Sequence, residues 1–77
     1  STLLSFNIPN NDNINVSIYD MSGRLITTLI NEQLEQGEHS VIWNGMDHNG
    51  NSVSSGVYFF TLHGKDISLT KKMVMMK

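Results

Sequence analysis

Three histidines, His39, His48 and His63, are the first residues to weigh for proton transfer or metal binding. None is paired at metal-ligand spacing: one falls in a turn and two on different strands. Zinc needs three or four convergent ligands, so these histidines read as structural or surface residues. Asp47, Asn49 and Asn51 alternate along a loop, with Gly50 between the last two, a spacing similar to an oxygen-rich calcium loop. The bidentate acid that should follow is missing, since no Glu occurs after Glu38 and Asp66 is far away. Asx residues in a turn bond their own backbone instead. Ser52, Ser54 and Ser55 have no His or carboxylate at a readable spacing to activate a hydroxyl. No Gly-rich phosphate loop is present. The expectation is a chain that is not an enzyme, with no catalytic residue, metal or cofactor.

Charge and apolar residues gather at the far end. Lys65, Lys71, Lys72 and Lys77 lie in the last thirteen residues, where Asp66 is the one acid; the fifth basic residue is Arg24. Lysines on an edge strand discourage edge-to-edge pairing. The same residues could present a basic, apolar strand to a partner, and both readings stand. Met73, Met75 and Met76 fill a core or form a soft docking surface.

These residues need a frame, and the frame centres on residues 43–60. An apolar run ends at Trp43, two turn pairs follow at Asn44-Gly45 and Asn49-Gly50, and Gly56 precedes Val57-Tyr58-Phe59-Phe60. Asn and Gly tolerate positive φ. The flanking residues are aromatic and β-branched, suited to a pleated, half-buried surface. Trp43, Tyr58 and Phe60 are expected at the centre of the core.

In chain order, Leu3, Leu4, Phe6 and Ile8 make a strand closed by Pro9, and residues 10–13 make a turn by composition. Val16 and Ile18 alternate with Ser17 and Tyr19. Residues 20–23 form a second turn, and residues 24–30 complete a hairpin with Leu25, Thr27 and Leu29 on one face. Residues 31–38 carry a single apolar residue, Leu34, and no stripe for a helix to dock by; they read as a loop. Residues 39–43 are a strand with Val41 and Trp43 inward. Residues 56–63 follow with Tyr58, Phe60 and Leu62 on one face. Residues 64–66 turn, and residues 67–76 close the chain. About seven short strands with turns between them predict an all-β, immunoglobulin-like antiparallel sandwich.

The chain has 77 residues, no cysteine and a net charge of −2. That size suits one domain, 1–77, burying roughly 60% of its unfolded surface without a disulfide to assist. Near-neutral charge argues against nucleic-acid binding. No run approaches the roughly 18 apolar residues of a membrane span. The first residues look like a strand and not a signal peptide, so the chain is expected to begin partway into a longer protein.

Four segments then resemble a known family. Val16-Ser-Ile-Tyr-Asp-Met-Ser-Gly23-Arg24 is similar to the hairpin of C-terminal sorting domains (type A) of the type IX secretion system. Gly37 to Gly45, through Trp43, resembles that group's G-x-H-x-x-x-W-D/N-G segment. Gly50 with Ser55-Gly56-Val57-Tyr58 resembles its S-G-x-Y segment, and Lys72-Met73-Val74 with Lys77 resembles its ending. The W-x-G and S-G-x-Y parts are also similar to the immunoglobulin-like domain of flagellar hook-capping proteins. The Y-P-N-P segment that usually precedes the first strand of sorting domains is missing.

The resemblance implies a β-sandwich at the C-terminus of a secreted protein, with structural positions at Trp43, Gly45, Gly50, Gly56 and Tyr58. It implies an outer-membrane translocon and cell-surface attachment machinery as partners, a covalent N-terminal cargo domain, a monomer, and passage through the periplasm to the surface or exterior. Translocon contacts are expected at Lys71, Lys72, Val74, Met76 and Lys77, with Met73 and Met75 turned to the core. The alternative is a non-catalytic accessory or structural module of a multidomain extracellular protein or hook-capping-like assembly.

Overall fold

A computed structural model describes residues 1–76. Lys77, expected above as a partner contact, lies outside the described residues. Six strands follow one another: β1 (Thr2–Ile8), β2 (Asp12–Asp20), β3 (Leu25–Leu34), β4 (Gly37–Trp43), β5 (Gly56–His63) and β6 (Ser68–Met75). All pair antiparallel, β1 with β4 in a two-stranded sheet and β3-β2-β5-β6 in a four-stranded one. No described residue is helical. The described residues form six strands, where about seven were expected, in the expected antiparallel sandwich.

Period-2 alternation decides which side chains meet between the sheets. Leu4, Phe6, Ile8 and Trp43 face inward from the two-stranded sheet. Ile14, Val16, Ile18, Tyr58, Phe60 and Leu62 meet them from the four-stranded one. Phe6 and Phe60 approach across the gap with ring centroids 6.4 Å apart. Trp43 meets Tyr58 edge-on at 5.3 Å, a geometry aromatic quadrupoles favour.

Three expectations need correction. Residues 31–38 are not a loop: β3 runs to Leu34, β4 starts at Gly37, and only residues 35 and 36 connect them. The register from Asn15↔Asn31 to Asp12↔Leu34 explains this, because ladder bonds to β2 hold a polar segment extended. Residues 10–13 are likewise not all turn, since β2 begins at Asp12, the other end of that same register. Finally, β3 does not keep strict alternation. Register shifts between Val16 and Ser17 and between Ile18 and Tyr19 leave Leu29 and Ile26 without an opposite residue in β2. A bulge bends the strand and re-aims its side chains. Ile26 therefore turns inward and is buried, while Leu25 is exposed.

Candidate functional site

The segment between β4 and β5, residues 44–55, is built from local bonds. Asn44 Oδ1 accepts the Met46 N–H, and the Trp43 indole Nε1 donates to the Met46 carbonyl at 3.0 Å. Met46 bridges to Ser52, and Val53 N donates to the Gly45 carbonyl. Asp47 Oδ1 accepts from Asn49 N and Asn51 N, both at 2.9 Å. The Asp47–Asn51 run is thus an Asx-bonded turn whose carboxylate serves the backbone. Among the described residues, no three His, Cys, Asp or Glu side chains converge as a metal site. Gly45 and Gly50 take φ of 77° and 82° as the turn pairs require.

His48, assigned above to a surface or structural role, ties this segment to the hairpin. Its backbone N–H donates to the Ile26 carbonyl at 3.0 Å, and its ring Nδ1 lies 3.1 Å from the same oxygen, protonated in the tautomer that contact requires. That carbonyl belongs to the β3 bulge, where the ladder to β2 is interrupted. His39 stacks on Phe6 at 5.9 Å, with its Nε2 2.7 Å from the Glu35 carbonyl. His63 stands 3.4 Å from Ser68 Oγ. The three histidines do not come together.

An open cleft of about 490 Å³ runs between the β2–β3 turn and residues 53–58. Its polar groups are engaged in turns. Asp20 Oδ1 accepts from Ser22 Oγ at 2.7 Å, Arg24 N at 2.9 Å and Ser22 N at 3.0 Å. Its Oδ2 lies 3.3 Å from Arg24 Nε. The Ser22 hydroxyl and the Arg24 N–H, with the guanidinium adding a smaller share, hold the Asp20 carboxyl below its ordinary pKa of 3.8. Tyr58 donates its hydroxyl to the Ser54 carbonyl at 2.7 Å, closing the path into β5. Gly56 opens that strand at φ 158°.

The basic far end forms one edge of the four-stranded sheet. Met73 and Met75 pack against the core, as expected, and Lys71, Lys72, Val74 and Met76 are exposed. Asp12 was not singled out from the sequence, yet it fixes the turn that leads into this edge. It is buried, and its Oδ2 accepts from Lys65 N at 2.7 Å and Asp66 N at 3.2 Å. Its place in an Asn-rich run hid it, because such runs also read as plain turns.

Comparison with known proteins follows from this geometry. The crystal structure of FLGD from P. aeruginosa matches with a TM-score of 0.74 at 26% identity, covering 94% of this chain and 55% of that one. The chain therefore spans about half the length of that protein. No curated protein matches. The FlgD Ig-like domain family matches residues 4–67, from β1 through the turn after β5, so β6 lies beyond the matched segment. Five of the six strands, with the Trp43–Gly45 corner and the Gly56–Tyr58 strand start, fall inside that match, and the chain belongs to the FlgD Ig-like domain family.

Proposed function

We propose that this chain is a non-catalytic immunoglobulin-like module of hook-capping type, working by contact within a larger exported protein or assembly. One observation carries the reading. The FlgD Ig-like domain family matches residues 4–67, most of the sandwich, and in the cleft Asp20, Asp47 and Tyr58 each bond the main chain of a turn. The test is deletion of residues 1–77 from the full-length gene product. Assembly or anchoring should fail, while any activity of a neighbouring domain, assayed in isolation, should persist. Loss of turnover with assembly intact would overturn the proposal.

A second reading keeps the sorting role, with a translocon and surface-attachment machinery as partners and the cell surface or exterior as destination. It is favoured by the exposure of Lys72 and Val74 on the edge strand and of Met76 just after it, while Met73 and Met75 anchor the strand. A reporter fused to residues 1–77 should reach the surface or medium of a host with that system and stay in the periplasm without residues 72–77. Equal export of both fusions would remove this reading.

A further inference from the structure

The outer edge of β6 has a definable polarity. Gly64 N donates to the Ile67 carbonyl at 2.8 Å, which makes that pair a hydrogen-bonded one. In an antiparallel ladder, bonded and non-bonded pairs alternate. The β5–β6 register runs without a shift from His63↔Ser68 to Gly56↔Met75. The main-chain groups of Leu69, Lys71, Met73 and Met75 therefore point at β5. Those of Ser68, Thr70, Lys72 and Val74 point away from the sheet, where no further strand of the described residues pairs with them.

Side chains give this edge a chemistry. Cross-strand neighbours Leu25, Tyr19, Phe59 and Lys72 form one row on the solvent face of the four-stranded sheet, and Val57 lies beside Val74 in the next. Val74 is 63% exposed and the adjoining Met76 84%. An apolar band thus crosses the sheet and ends at residues whose backbone is open. Charge selects among the segments that could continue it. Residues 67–76 hold Lys71 and Lys72 and no acid. Among the described residues the one ion pair is Arg24–Asp20, so neither lysine has a carboxylate partner among them.

We infer that the free edge of β6 is a strand-addition site for an extended segment of another protein, with acidic residues beside Lys72 and apolar residues beside Val74. The added strand would complete the outward main-chain bonds of Ser68, Thr70, Lys72 and Val74 and lengthen both side-chain rows. This rests on the reading of the chain as a contact module, and the family match stops at residue 67, just before β6.

The probe is a labelled peptide of about ten residues with alternating glutamate and valine, a length suited to strand addition. It is titrated into the chain and followed by anisotropy and amide chemical shifts. Saturable binding is expected, with the largest shifts at Ser68, Thr70, Lys72 and Val74. A lysine–valine peptide should bind at least about tenfold more weakly, and Lys72→Glu should reverse that preference, because juxtaposed like charges oppose binding. Val74→Pro removes one outward N–H and no β5–β6 bond, a substitution edge strands tolerate; it should keep the core spectrum and lose binding. Undiminished binding to that variant, shifts centred elsewhere, or pairing of β6 with a second copy in place of the peptide would overturn the inference. So would failure to bind any peptide, which would make the lysines guards against pairing. Failure here while deletion of the module still abolishes assembly would overturn this inference alone.

Discussion

The carboxylate of Asp12 accepts the main-chain N–H of Lys65, joining the first residue of β2 to the turn between β5 and β6. Gly64 stands against the same carboxylate: a Cβ placed there would lie 2.5 Å from Asp12 Oδ2 and 2.7 Å from Ile14 Cδ1. Asp12→Ala leaves the turn amides of Lys65 and Asp66 without their acceptor and should cost about 1.5–3 kcal/mol. Gly64→Ala should destabilise as well, since the aspartate and isoleucine must both give way. Urea denaturation midpoints check both, and an unmoved midpoint for Asp12→Ala would show that water replaces the carboxylate at no cost.

Trp43 is 1% exposed and joins the sheets through Tyr58. Trp43→Ala should cost about 3–5 kcal/mol, enough to unfold a chain this small. Tyr58→Phe keeps the ring contact and removes only the bond to Ser54, so about 0.5–1.5 kcal/mol is expected. Equal losses for the two variants would show that the hydroxyl, not the ring packing, dominates.

At Gly56 the backbone alone sets the cost of substitution. Its φ of 158° disfavours a side chain, while a Cβ there would meet nothing within 4 Å. Gly56→Ala and Gly56→Val should therefore both destabilise, by about 1–3 kcal/mol. Thermal unfolding of the pair is informative, because a large gap between them would point to a steric clash that the open space does not predict.

Asp20 makes stability depend on pH. Its folded pKa lies below the ordinary 3.8, chiefly through the Ser22 hydroxyl and the Arg24 N–H. The stabilisation is complete above the ordinary value and is lost as pH falls through the lowered folded value. Asp20→Asn should flatten that part of the acid-unfolding curve and leave the neutral-pH slope unchanged. Carboxyl titration by NMR should place Asp20 below an unstructured aspartate, and a value at or above 3.8 would contradict the turn geometry.

Much of this arrangement was legible in the residue types. The alternation of Tyr58, Phe60 and Leu62 marked the core face of β5, and Asn44-Gly45 and Asn49-Gly50 marked turns in which the glycine takes the positive φ. What stayed hidden depends on partners distant in the chain. Residues 31–34 look like loop because polar side chains give no strand pattern, yet the ladder to β2 holds them extended. Ile26 faces the core because of a bulge that period-2 reading cannot see. The His48 contact requires the same bulge, which leaves the Ile26 carbonyl for it to find. At the far end, parity separated Met73 and Met75 from Lys72 and Val74, but which backbone groups face outward needed the Gly64–Ile67 bond.

The pairing of β1 with β4 has a consequence for how the chain reaches its native state. The hairpins β2–β3 and β5–β6 close locally, whereas β1–β4 must enclose a loop of roughly 30 residues from Ile8 to Gly37, and β2–β5 one of roughly 40 from Asp20 to Tyr58. Closure entropy grows only with the logarithm of loop length, so these two events are handicapped almost equally and neither sheet gains a head start. Each also supplies the apolar face that the other must cover, through Phe6 on Phe60 and Trp43 on Tyr58. Refolding should accordingly proceed in one kinetic phase, at the slow rates of topologies rich in distant pairings, with no half-assembled sheet accumulating along the way.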